Sequence, residues 1–349
     1  MKIQLIGKPE TVMSNSDSKH NYFGWPTAVM LQDGRLAVGA SGFRVEHVCP
    51  FGKAVLSYSF DGGKTYTKPA PVIDTPLDDR DVGICSFGET GVIVTTFNNS
   101  AEMQRGYNQD NTYVQSYIDT ITAEDEEKYL GALFRISHDC GVTFSEIYHS
   151  PVTSPHGPTQ LRDGTILWAG NRFHDTESGI EVVELDHTTG KTQHVGEINI
   201  DDKEIFLNEP HLIEMPDGKL ICHIRAENDN LFTTYQSVSY DKGKTWSYPE
   251  RLLDETGGAP PHLKLLSSGV LISTYGRRKQ PYGIMAMVSL DNGESWETDL
   301  RLFENTESDD LGYPTTVEFD DGTLLTVFYT RKDEKSPCNI LQQRWKLIK

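Results

Sequence analysis

The segment GFRVEHVCPFGK, residues 42–53, places Arg44, Glu46, His47, Cys49 and Lys53 in one short stretch directly after an apolar run, RLAVGA. A second segment, DTPLDDRDVG, adds Asp78, Asp79, Arg80 and Asp81. Carboxyl groups set among arginines can hand a proton to a reacting oxygen or take one back, with Glu46 and Asp81 as the candidates here. A guanidinium can grip an anionic group through two parallel hydrogen bonds, and Arg44, Arg225, Arg277 and Arg278 are placed to do so. Asp78 and Asp79 read as solvated loop charges. Trp25, Glu209 and Tyr313 each stand nine residues before the glycine of an Asp-Gly pair. Two residues after that level come Thr27, His211, His262 and Thr315. His211 and His262 could bond hydroxyl groups of a ligand, or join His156 around a metal, although three histidines without ligand spacing are a weak metal signal. Cys49 beside Pro50 reads as packing and not as a nucleophile.

Such residues do chemistry only if the chain brings them together, so the elements that carry them come next. The chain has 349 residues, of which 37% are hydrophobic, with 30 glycines and 17 prolines. That composition suits a globular, turn-rich β protein. A formal net charge of −19 argues against nucleic acid and anionic membranes as partners. MKIQLIGKPE lacks the apolar core of a signal peptide, and no apolar run approaches the ~20 residues of a membrane span. Five cysteines without regular spacing fit neither a disulfide framework nor a zinc motif. These features lead to the expectation of a cytoplasmic protein without cofactor.

One pattern recurs six times: apolar strand, tight turn, apolar strand. The turn glycines are Gly34, Gly91, Gly164, Gly218, Gly269 and Gly322. Asp-Gly between alternating hydrophobics is a strong hairpin signal. A second pattern, S-x-D-x-G-x-[ST]-aromatic, appears as SFDGGKTY, SHDCGVTF, SYDKGKTW and SLDNGESW, with a worn relative in ELDHTTGKT. Together they give four strands per unit. Six units make an all-β, six-bladed β-propeller spanning residues 1–349 as one domain. KIQLIG at the N-terminus supplies the missing outer strand of the last blade. A polar, tyrosine-rich insertion near residues 100–130 decorates blade 2.

In such a ring the inner strand of each blade starts at one face, here called the top, and the Asp-box turns lie at the bottom. Loops between blades, and loops joining second to third strands, belong to the top. Segment 42–53 is such a loop. Arg44, Glu46, His47, Arg80, Asp81, Glu209, Arg225, Arg278 and Tyr313 are therefore expected around one concave mouth, the usual place for a ligand.

Six blades with Asp-boxes resemble the sialidase (neuraminidase) superfamily, over nearly the whole chain. NEPHLIEMPDGKLICHIRAE resembles the segment that carries a glutamate and an arginine of that site, on Glu209 and Arg225. GYPTTVEFDDGTLLTVFY resembles the segment of the nucleophile, on Tyr313. YGRRKQPYGIMAMVSLDNG resembles that of the last arginine, on Arg277 or Arg278. The resemblance implies an exo-acting glycoside hydrolase in which tyrosine attacks the anomeric carbon and a carboxylate takes its proton. A phenol titrates near ~10, so it needs that base. The chain departs from the pattern at Gly24, where an arginine is expected, and Trp25 beside it reshapes the mouth. Arg44, Arg225, Arg277, Arg278, Trp25, His47, Arg80, His211 and His262 are the expected substrate contacts, and the substrate is expected to be a terminal, acidic sugar. A propeller polysaccharide lyase and a non-catalytic carbohydrate binder are the alternatives.

Overall fold

Each Asp-Gly turn joins two antiparallel strands, with Gly34 and Gly322 in the left-handed region at φ +85 and +72, a conformation that only glycine adopts freely. The computed structural model describes residues 1–173, 179–254, 257–305 and 307–349. Six antiparallel sheets, each a meander from an inner to an outer strand, form the six blades of a propeller. The inner strands are Tyr22–Met30, Arg80–Phe87, Thr159–Gln160, Phe206–Glu214, Pro261–Leu265 and Leu311–Glu318. The third is short because Pro155 and Pro158 withhold backbone donors from it.

The ring closes through its two ends. Lys2–Met13 pairs antiparallel with the last strand, Asn339–Ile348, from Lys2 opposite Ile348 to Met13 opposite Ile340. The closing strand is thus about twice as long as the KIQLIG run expected from the sequence. Between blades, apolar faces interlock around buried Trp25, Trp168 and Trp345, where removal of apolar surface from water is the main favourable term.

The four full Asp-boxes form the same turn between third and fourth strands. In the first, Thr65 donates to both oxygens of Asp61, by its amide at 2.9 Å and its hydroxyl at 2.6 Å, and Ser59 donates at 2.8 Å. Asp139, Asp241 and Asp291 are held by the equivalent serine and threonine groups.

The insertion folds into three short helices, Ala101–Tyr107, Thr112–Ile118 and Ala123–Tyr129, between the second and third strands of blade 2. Each starts on a side-chain cap, Ser100, Asn111 or Thr122. Val114 and Ile118 pack on Cys49, which is fully buried, and Phe51 stacks on Tyr113 at 4.9 Å. Asn108 Nδ2 donates to the Val48 carbonyl at 2.8 Å. The helices therefore clamp the 42–53 loop from the top. No described helix is long and apolar enough to cross a membrane.

Candidate active site at the upper end of the channel

Four inner strands break their pairing at the same level. Register shifts fall between Gly24 and Thr27, Arg80 and Gly83, Asn208 and His211, and Gly312 and Thr315. At each break one residue adopts positive φ: Trp25 at 54°, Asp81 at 46°, Glu209 at 48° and Tyr313 at 50°. A bulge of this kind re-aims a side chain. The left-handed conformation costs a non-glycine residue about 1–3 kcal/mol. The chain accepts that cost four times, at residues that share one end of the channel. In blades 3 and 5 the same level holds Pro155 and Pro260, whose rings forbid positive φ.

Tyr313 Oη donates to Glu209 Oε1 at 2.5 Å. Arg225 Nη1 donates to the other oxygen, Oε2, at 2.7 Å, and its Nε and Nη2 hold Glu227 Oε2 at 3.1 and 2.5 Å. The Glu209 backbone amide donates to Asn171 Oδ1 at 2.9 Å. The carboxylate is therefore held at both oxygens, and its backbone is fixed by Asn171. Burial pushes the Tyr313 phenol well above its ordinary range, and the charges of Glu209 and Asp81 push it further, while Arg225 and Arg278 oppose them. Tyr313 is a neutral phenol whose proton already points at a base.

Asp81 lies 4% exposed in a pocket of about 200 Å³ that it shares with Glu209, Asn171, Asn208, Phe97 and Phe206. Burial raises its carboxyl to about 7; Arg80 opposes the shift and Glu209 adds to it. Its Oδ1 is buried without a hydrogen-bond partner. A carboxyl that keeps its proton to neutral pH is suited to acid catalysis.

Of the two adjacent arginines, Arg278 belongs to the site. Its Nε donates to the Leu311 carbonyl at 3.0 Å, its Nη2 to Tyr329 Oη at 2.8 Å, and its guanidinium lies 5.6 Å from the Tyr313 ring centre. Arg277 turns away, toward the Lys279 carbonyl and Asp299.

Several expected contacts do not reach this pocket. Arg44 is fully buried, paired with Asp78 at 2.5 Å, and also donates to Ser41 Oγ and to the Glu46 and His47 carbonyls. It braces the 42–53 loop instead of meeting a ligand. Asp78 and Asp79 are not solvated: both are buried, and Asp79 accepts from the Thr75 amide and hydroxyl at 2.7 and 2.8 Å. Arg80 lies 4.1 Å over the Trp25 ring and donates to the His47 carbonyl at 2.6 Å. Trp25 is itself 1% exposed, enclosed by Arg44, Arg80, His47 and Tyr329. It fills space instead of facing a ligand. Glu46 and His47 are exposed and line a separate outer cleft of about 840 Å³ against Tyr107 and Asn108 of the helices.

The histidines sit one layer lower, facing a cavity of about 320 Å³ toward the bottom of the channel. His211 and His262 stack at 4.4 Å, with His156 edge-on at 5.6 and 5.0 Å. The Leu263 amide donates to His211 Nδ1 at 3.0 Å and the Thr316 amide to His262 Nδ1 at 3.4 Å. A ring whose Nδ1 accepts carries its proton on Nε2, so neither Nε2 has a lone pair for a metal. Burial drives all three toward the neutral form, His211 to about 3. Among the described residues no cluster of three or more His, Cys, Asp or Glu could hold a metal ion. The triad reads as a neutral plug under the mouth.

The sequence also left residues unnoticed. Asp310 accepts from Tyr22 Oη at 3.0 Å and pairs with Arg331 at 2.8 Å. It is held near 2 against the effect of its burial by His47, Arg331 and Arg278. Glu227, Asn171, Asn208 and Tyr329 orient the central residues. A signal for the bulges was present in Trp25-Pro26, Glu209-Pro210 and Tyr313-Pro314, three X-Pro pairs at one register, although Asp81 lacks it.

The model of the BNR repeat-like domain matches residues 118–326, more than half of the chain. The chain belongs to the BNR repeat-like family. Solved structures agree on the fold of this BNR repeat-like protein. A protein of unknown function from Dyadobacter fermentans DSM 18053 superposes with a TM-score of 0.79 at 17% identity, covering 99% of both chains. The Hadza microbial sialidase Hz136 gives 0.68 at 17% identity, over 97% of this chain and 68% of that one. The K499G mutant of the NanB sialidase from Streptococcus pneumoniae gives 0.70 at 14% identity, over 99% and 71%. At these identities the likeness is one of fold, the sialidase-type six-bladed propeller. Among curated proteins none matches the chain.

Proposed function

We propose that this BNR repeat-like protein is a retaining glycoside hydrolase that removes a terminal sugar from a glycan. The observation that carries the reading is the 2.5 Å hydrogen bond from Tyr313 Oη to Glu209 Oε1 beside a carboxyl, Asp81, held near 7. In the first step Tyr313 Oη attacks the anomeric carbon and its proton passes to Glu209. The bond to the leaving oxygen breaks, and Asp81 supplies that oxygen with a proton. In the second step water attacks the same carbon and gives a proton to Asp81. Tyr313 departs and recovers its proton from Glu209. Arg225 steadies Glu209, and Arg278 lowers the cost of negative charge on the phenol oxygen. The likeness in fold to sialidases supports a glycan as ligand. The four strained residues favour catalysis over passive binding, since strain of this kind persists where geometry matters. His211 and His262, whose Nδ1 atoms accept backbone amides, offer the lyase reading no lone pair for a base or a metal.

The test is a panel of aryl glycosides, covering sialic acid, related 2-keto acids, uronic acids and neutral sugars, assayed with the wild type and Tyr313→Phe. Turnover of at least one glycoside, lost in the variant, is the expected result. Turnover that survives both Tyr313→Phe and Glu209→Gln would remove this mechanism.

A further inference from the structure

We infer that the pocket beside Asp81 takes a neutral, hydroxyl-rich sugar ring, in place of the acidic sugar expected from the sequence. The inference rests on the hydrolase reading only for setting that ring over Tyr313. Its basis is the donor and acceptor inventory of the pocket. Asn208 Nδ2 is committed to Glu227 Oε1 at 2.6 Å, and because a carboxylate only accepts, the amide orientation follows. Asn208 Oδ1 is then left as an acceptor, and it is buried without a donor. Asp81 Oδ1 is a second buried acceptor without a donor in the same pocket. Asn171 has spent its Nδ2 on the Leu207 carbonyl at 2.9 Å and its Oδ1 on the Glu209 amide. Glu209 adds a full carboxylate.

Among the described residues, no lysine or arginine lines this pocket. The nearby guanidiniums lie beyond it and are occupied: Arg80 donates to the His47 carbonyl and lies over Trp25, and Arg44 pairs with Asp78. Arg225 is shared between Glu209 and Glu227, and Arg278 between Leu311, Tyr329 and the face of Tyr313. Gly24 offers no further cation. An orphaned acceptor is costly until a donor reaches it, and an anionic group set beside the Glu209 carboxylate adds repulsion to that cost. Sugar hydroxyls supply the missing donors without charge. Phe206, 38% exposed, and Phe97 offer an apolar wall for the C–H face of a ring.

The test reads binding without turnover. Calorimetric titrations of the wild type use neutral aldonolactones with gluco, galacto, manno and arabino configurations, each a planar mimic of the reacting sugar. Galacturonate, glucuronate and 2-deoxy-2,3-didehydro-N-acetylneuraminate are titrated in parallel. At least one lactone is expected to bind saturably, and every acidic compound at least about tenfold more weakly, a difference of about 1.4 kcal/mol. Asn208→Ala, with its folding checked by thermal melting, is expected to weaken the bound lactone. Equal or tighter binding of any acidic compound overturns the inference, as does failure of all four lactones to bind. A Tyr313→Phe variant that stays active would remove the mechanism above and leave this binding result intact.

Discussion

Aspartates stand at both ends of this propeller, and their environments are opposite. At the bottom, Asp61, Asp139, Asp241 and Asp291 are open to water, and serine and threonine hydroxyls and amides saturate both oxygens. Those bonds hold the four carboxyls well below the ordinary range. At the top, Asp81 is buried with one oxygen unpartnered and is raised to about 7. The bottom carboxylates have spent most of their hydrogen-bonding capacity on the turn itself. The top one has kept capacity in reserve at a cost in stability. Satisfaction by near neighbours marks a structural aspartate here, and its absence in a pocket marks a candidate functional one.

The largest effect that would sharpen this contrast is at the partner of the top pair. Tyr313→Phe removes the proposed nucleophile, and kcat is expected to fall by at least about 10³-fold on whichever glycoside is cleaved, as loss of a nucleophile does elsewhere. Intact thermal melting would show that the fold is kept. Retained kcat would break the assignment of the top as the reacting end.

Asp81→Asn tests the reserve directly. Loss of a general acid removes about 10²–10⁴-fold of rate. The loss is expected to be large for alkyl or sugar leaving groups and small for nitrophenyl ones, which leave without help. In the wild type, kcat/KM is expected to fall as pH rises through about 7, because Asp81 then loses the proton it is proposed to donate. That alkaline limb should vanish in Asp81→Asn. An unchanged limb would assign the proton to another group.

The same substitution carries a smaller stability signature. The folded-state value of Asp81, about 7, lies above the ~3.9 of an unfolded aspartate. Its contribution is therefore intact below about pH 4 and is lost as pH rises to about 7. Asp81→Asn should raise Tm at pH 8 by about 2–5 °C and change it little at pH 4. Asp79, also raised to about 7 by burial, remains in the variant, so part of the slope persists. A lower Tm at pH 8 would contradict the reading of Asp81 as a destabilising, functional carboxyl.

The smallest effect is expected at the bottom. Asp61→Asn gives up charge-assisted bonds in one exposed turn, so Tm should drop slightly, with kcat and KM unchanged. The drop should shrink at low pH, because a depressed carboxyl loses its contribution as pH falls toward its folded value. A changed KM would mean that the Asp-box face also meets ligand.

The sequence by itself determined the blade count, the closing strand and the level at which Glu209 and Tyr313 stand. The turns and strand positions behind these readings are local, and the closing strand follows from the sixth unit lacking an outer strand of its own. An Asp-Gly turn and an Asp-box carry their hydrogen-bond partners within a few residues, so they can be read without knowing what lies across the ring. The tertiary structure decided which of those residues meet. Glu209 and Tyr313 are 104 positions apart, and only ring closure sets their oxygens in contact. It also selected Arg278 over Arg277, sank Arg44 onto Asp78, and lowered His211 and His262 beneath the mouth. Residue type cannot distinguish a guanidinium that meets a ligand from one already paired, because that depends on which carboxylate the fold brings within reach. The four bulged residues with positive φ belong to the same class. Their conformation opposes local preference and is held only by the contacts of neighbouring blades.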